Sequence, residues 1–181
     1  KDIKTFIRAS SAVKDQIPDL LVYIMGPTDE DIEYYQECRQ MVEYMGLNDT
    51  ITFTGQVSID KYLPEIDIMV LSSISEAMPL AVLEAGACGI PTVATDVGAC
   101  REIIEGRSDE LPRIGHGGVV VPLSNPTALA EGIVRLLRDQ DLYRHCSEAI
   151  RARVETYYNK KDQIAAYQGL YEKFLCQTSV K

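Results

Sequence analysis

Short, almost wholly apolar runs alternate along the chain with longer stretches in which apolar residues recur every three or four positions. That alternation predicts an α/β fold, a doubly wound parallel sheet with helices on both faces. The predicted strands are residues 20–25, 50–53, 67–71, 91–95 and 119–121, each short and apolar, as strands covered on two faces should be. The clearest predicted helix is 29–45, with Ile32, Tyr35, Cys38, Val42 and Met45 on one stripe and Gly46 as its stop. Asn125 and Pro126 read as a cap and a first helical residue, opening three helices at 126–139, 141–159 and 162–174. No strand pattern returns after Val121, and residues 105–118, with Pro112 and several glycines, read as a long surface loop.

The pattern describes one domain over residues 1–181: a sheet-bearing part to about residue 124, then C-terminal helices. Lys1 to Lys4 lead almost directly into an amphipathic segment, with no strand before it and no initiator Met. The expectation is therefore a piece of a larger polypeptide.

Composition narrows the function. With 46% hydrophobic and 25% charged residues the chain is globular rather than disordered. Its net charge of −9 opposes binding to nucleic acid or to an anionic membrane surface. A small anion remains admissible, because a helix N-terminus binds phosphate through backbone amides. Cys38, Cys88, Cys100, Cys146 and Cys176 are odd in number and lack a Cys-x-x-Cys pair, which argues against a disulfide framework and a zinc site and fits a reducing cytoplasm. No apolar run is long enough for a membrane span.

Ligands bind doubly wound sheets beyond the C-terminal ends of their strands, which directs attention to residues 72–80. Pro79 suits the first turn of a helix continuing through Leu80, Ala81, Val82, Leu83, Glu84 and Ala85. The amides of Leu80, Ala81 and Val82 would then lack intrahelical acceptors and, with the helix dipole, form a phosphate seat. Glu84 is the one charged residue between Glu76 and Asp96, so it is expected to be drawn into the core and to need a polar partner. Its side chain leans back toward the seat, where a ribose would meet it. A simple interaction with the helix dipole is the competing explanation. The reading requires uncapped amides beside a cleft and an acid that does not face open solvent.

Other residues carry weaker signals. Glu76 in a strand-to-helix loop would ordinarily be solvated, and Ser72, Ser73 and Ser75 are either pocket donors or loop formers. Gly26 and Gly55 stand where a backbone could approach a ligand, although glycine is also the default turn residue. Asp96 to Ala99 could offer a second set of free amides or merely a turn. His116 and His145 have no partner at an informative spacing, and Tyr34, Tyr35, Tyr157 and Tyr158 read as packing residues.

Residues 75–98 resemble the E-x7-E region of family 4 glycosyltransferases, with Glu76 and Glu84 at the required spacing. Phe53-Thr54-Gly55, residues 62–67 and Gly118 to Pro122 extend the similarity over nearly the whole chain. Within that family, residues 26–31, 73–77, 96–102 and 153–158 resemble the Pel exopolysaccharide subgroup. The resemblance implies the C-terminal, Rossmann-like half of a GT-B enzyme, which holds the nucleotide sugar while an N-terminal domain outside the chain holds the glycan acceptor. It places Glu84 on the ribose, Glu76 on the transferred sugar, and the Leu80 and Ala81 amides on the diphosphate, with Met78 and Pro79 beside them. Lys1 would neutralise the diphosphate, Val57 and Ser58 would border the base, and Gly26 would border the donor.

The implied chemistry is retaining hexosyl transfer with no cofactor or metal; the Pel-like subgroup implies UDP-glucose as donor, and the residues by themselves leave another UDP-hexose or GDP-mannose open. The expected setting is cytoplasmic, beside a membrane export machinery, with the fragment inactive alone. An exposed sheet edge or the C-terminal helix could drive a homodimer. The alternatives are a non-catalytic nucleotide-binding or signalling α/β domain and a GT-B nucleotide-sugar epimerase.

Overall fold

The backbone of residues 1–178 and the side chains of residues 1–175 are described by a computed structural model, so the side chain of Cys176 lies outside the described residues. The chain begins with α1 (Ile3–Lys14), β1 (Val22–Met25), α2 (Ile32–Tyr44) and β2 (Ile51–Gly55), followed by two short 3-10 turns. It continues with β3 (Met69–Leu71), α3 (Leu80–Ala87), β4 (Thr92–Thr95), α4 (Cys100–Glu105) and β5 (Gly118–Val121). Then come α5 (Pro126–Arg138), α6 (Gln140–Tyr157) and α7 (Lys160–Thr178).

All five predicted strands form, and every pairing is parallel. They do not make one sheet. β1 pairs with β2, while β3, β4 and β5 form a separate three-stranded sheet in that order. In the larger sheet successive residues go to opposite faces, as the pleat requires. Val93 and Val121 pack with α1 and α5, whereas Leu71 and Ala94 pack with α3, α4 and α6. Both faces are thus covered by helices, which explains the unbroken apolar runs.

α1 joins the two sheets. Its Ile7 belongs to the cluster around Val22, Cys38, Val42 and Ile51, while Ala9 and Val13 belong to the cluster around Val93, Val121 and Leu129. The helix is amphipathic on two adjacent faces and capped by Asp2, whose carboxylate accepts from the Thr5 amide at 3.1 Å.

α2 departs from its predicted stripe. Asp31 caps it by accepting from the Tyr34 amide at 3.0 Å. The buried residues are Cys38 and Val42, with Tyr34, Met41 and Met45 half-buried against the same cluster and Ile32 exposed. Tyr35 instead sets its ring edge against Phe53. The helix does stop at Gly46, whose φ of +67° lets Leu47 donate back to the Val42 carbonyl.

The loop between α4 and β5 is not wholly on the surface. Glu110 within it is 1% exposed and meets Arg153 of α6, itself fully buried. Arg153 Nε donates to Glu110 Oε2 at 2.7 Å and Nη2 to Oε1 at 3.0 Å. Nη1 donates to the Ile104 carbonyl at 3.0 Å, Nη2 also reaches the Gly115 carbonyl, and the Ile114 amide donates to Glu110 at 2.9 Å. The latch ties the loop to the C-terminal helices with its polar atoms answered.

The guanidinium holds the Glu110 carboxyl below the usual carboxylate range against the opposing effect of burial. A depressed folded-state pKa makes its contribution complete above the unfolded value of about 4.3, and lost as pH falls through the folded value. Arg153→Met, which strands a buried carboxylate, is expected to cost about 3–5 kcal/mol at neutral pH. Urea midpoints measured from pH 7 to 3 check both: the wild type should lose stability on acidification, and the variant should lose less.

Candidate donor-binding site

The site is built around the loop from β3 to α3. Buried Thr95, at the end of β4, places its hydroxyl 2.5 Å from the Ser73 carbonyl. One turn on, the Ala99 amide donates to the Ala77 carbonyl at 3.0 Å. Between them Gly98 adopts φ +52°, and a Cβ there would lie 2.3 Å from the Glu76 carbonyl oxygen and 2.5 Å from that of Ala77. A side chain at 98 has no room, so glycine is required. The Asp96 to Ala99 segment is therefore a brace for the β3–α3 loop. Its Asp96, Val97 and Ala99 amides are used within the protein, by the Val121, Thr95 and Ala77 carbonyls, so of these four residues only Gly98 has an amide with no acceptor among the described residues.

At the start of α3, Pro79 is the N-cap residue rather than a member of the first turn, and no side chain caps the helix. Its extended ψ of 100° turns its carbonyl toward the helix. That carbonyl accepts from the Val82 amide at 3.1 Å and the Leu83 amide at 3.4 Å. The Val82 amide is thus capped by the chain itself and drops out of the expected seat. The amides of Leu80 and Ala81 have no acceptor among the described residues. They open a helix of eight residues with no opposing side-chain charge at its first turn.

Glu84 is not buried, contrary to the expectation that it would be drawn into the core. Val82, Ala85 and Gly86 form the inward face of α3, and Glu84 falls with Leu80 on the outward stripe, one turn apart. It is exposed and has no partner among the described residues. Burial therefore gives no reason for a carboxylate there. Two open depressions, of about 720 and 580 Å3, lie elsewhere. One is lined by Lys4, Arg8, Glu37 and Tyr44 and the other by Gly98, Arg101, Arg107 and Asp109; neither is lined by Glu76 or Glu84.

Glu76 is the better-held acid. Its side chain is 16% exposed and meets the Lys1 ammonium across 75 residues of sequence. Burial raises its pKa, but the Lys1 ammonium and the neighbouring Ser73 hydroxyl outweigh that and keep it below the usual range. The Ser73 hydroxyl is itself buried and completes no hydrogen bond of normal geometry. The sequence marks Ser73 only as one loop serine among three; the Thr95 hydroxyl, 22 residues on, holds its carbonyl.

The C-terminal ends of β1 and β2 carry the remaining candidates. The Gly26 amide donates to the Gly55 carbonyl at 3.0 Å, setting the two glycines side by side, with open space where a Gly26 Cβ would be. Val57 is half-buried, and Ser58 is exposed with its hydroxyl donating to Asp60. Met78 is exposed next to the α3 N-terminus, and His116 and His145 are both exposed.

Two outcomes test this geometry. Gly98→Ala should destabilise the protein by about 1–3 kcal/mol through a strained φ and the approach to the Glu76 carbonyl, read as a lowered urea midpoint. Lys1→Ala should move the Glu76 pKa upward, because burial then acts with less opposition; a carbon-13 NMR titration of the carboxyl reads the shift.

Residues 1–153 match the family described as glycosyl transferases group 1. An N-acetyl-alpha-D-glucosaminyl L-malate synthase of Bacillus anthracis is 29% identical over 133 residues, covering 73% of this chain and 33% of that protein. The solved C-terminal domain of LpcC, a glycosyl transferase group 1 family protein of Francisella tularensis, aligns with a TM-score of 0.74 at 28% identity, covering 88% of this chain and 80% of that one. Anabaena HepE, solved in complex with UDP, shares the fold with a TM-score of 0.79 at 20% identity, over 97% of this chain and 45% of that one. The chain spans 28% to 49% of the length of the first curated relatives it matches. With the family matched over most of its length and the parallel α/β architecture of GT-B enzymes, the chain belongs to the glycosyl transferases group 1 family.

Proposed function

We propose that this chain is the donor-binding half of a retaining glycosyltransferase, which moves a hexose from a nucleotide sugar to a growing glycan or polysaccharide. The observation that carries the reading is local. One loop carries two unanswered amides, at Leu80 and Ala81, and the Glu76 carboxylate, which meets the Lys1 ammonium. A leaving diphosphate needs donors that are already oriented when negative charge develops on it. The amides and the Lys1 ammonium supply them, while Glu76 holds the sugar. Glu84, one turn beyond Leu80, is assigned the ribose on the family resemblance alone, because its exposed position does not meet the requirement of an acid turned away from solvent.

UDP-glucose is the proposed donor, as the Pel-like wording at residues 73–77 and 96–102 suggests. The UDP bound to HepE, a protein of the same fold, supports the choice of base. Gly26, Val57 and Ser58 border the nucleoside, and Met78 and Pro79 border the phosphates. The proposed step assigns no role to a metal or cofactor. The proposed setting is cytoplasmic, on the family resemblance; no helix among the described residues is long and apolar enough to cross a membrane.

Calorimetric titration of UDP and GDP tests the reading. UDP should bind with preference, and Glu84→Ala should weaken it by about 1.5–3 kcal/mol, the worth of hydrogen bonds to a charged acceptor. Equal affinity in the variant would remove Glu84 from the site.

A further inference from the structure

The Lys1 ammonium can serve a diphosphate only if the backbone beneath it is held. The first turn of α1 leaves the Ile3 and Lys4 amides without intrahelical acceptors, since no residue stands four positions before Ile3 in this helix. The Asp2 cap answers Thr5 alone, and its other oxygen accepts from the Ser124 hydroxyl at 3.1 Å. A hydroxyl from a different helix answers the remainder. Tyr34 Oη accepts from the Ile3 amide at 3.0 Å and the Lys4 amide at 3.4 Å, and donates its own hydrogen to the Lys1 carbonyl at 3.2 Å.

We propose that Tyr34 is a positioning residue for donor binding, fixing the Lys1 backbone so that its ammonium stands at Glu76; this rests on the reading of Lys1 as a diphosphate ligand. The tyrosine is well placed for the task. Its ring packs into the cluster shared by α1 and α2, and the Lys4 ammonium lies 5.2 Å from the ring centroid, anchored by Glu37 at 2.6 Å. Its own amide is spent on Asp31. Phenylalanine would fill the same space but leave two amides and a carbonyl unanswered, and the strand–loop–helix unit carrying Gly26 would lose its polar link to Lys1.

The test is a double-variant cycle in the full-length protein, with Tyr34→Phe, Lys1→Ala and both together, titrated with UDP and with uridine. Tyr34→Phe should weaken UDP about three- to tenfold, the worth of a hydrogen bond or two, and leave uridine binding unchanged. In the Lys1→Ala background it should have no further effect on UDP. Additive losses, or an equal loss with uridine, would overturn the positioning role. Unchanged UDP affinity in Lys1→Ala alone would instead overturn the reading of Lys1. A ligand-free readout covers loss of stability in the variant: Tyr34→Phe should raise the Glu76 pKa as the ammonium drifts away, and an unmoved value in a folded variant counts against the proposal.

Discussion

Burial of α1 against both sheets is the constraint on which the arrangement rests. No backbone ladder runs from the β1–β2 pair to the β3–β4–β5 sheet among the described residues. They are joined because Ile7 fills one core while Ala9 and Val13, two and six residues further on, fill the other. Each large apolar side chain so buried contributes about 1.5–3 kcal/mol, far more than any surface ion pair in the molecule. The helix that welds the cores also aims its N-terminus at the C-terminal ends of the strands. Lys1 and Asp2 there touch Glu76, Tyr34 and Ser124, which come from three different strand-to-helix segments.

The candidate site is assembled from backbone as much as from side chains. The α3 N-terminus is shaped by a proline that caps with its carbonyl, and by a glycine that lets the next loop press against Glu76 and Ala77. Such contacts set orientation without adding charge, so the amides of Leu80 and Ala81 remain the local positive pole. On the proposed reading these amides are the seat by which a protein of net charge −9 takes an anion, despite its bulk electrostatics.

The Arg153–Glu110 latch has a different role. Two charges in the core would be a liability if either stood alone. Here the guanidinium also reaches the Ile104 and Gly115 carbonyls, so a loop of irregular backbone is bound to α6 without orphaned polar groups. It keeps the C-terminal helices in fixed relation to the face of the sheet on which α3 and α4 lie.

Five strands, the stop at Gly46 and the cap at Asn125 were legible in the order of residues because they depend on local periodicity and backbone geometry. The role proposed for the segment between Glu76 and Glu84 rests likewise on a spacing and a resemblance that lie within a single turn-and-helix. The division into two sheets, the exposure of Glu84, the capped Val82 amide and the burial of Ser73 and Glu110 were not legible in the order of residues. Each depends on a contact with a distant part of the chain, or on the exact rotation of a helix about its axis, neither of which is encoded in neighbouring residues. The chain alone therefore determined which groups could do chemistry; tertiary packing decided which of them face one another, because only the burial of α1 brings Lys1, Tyr34 and Glu76 within reach.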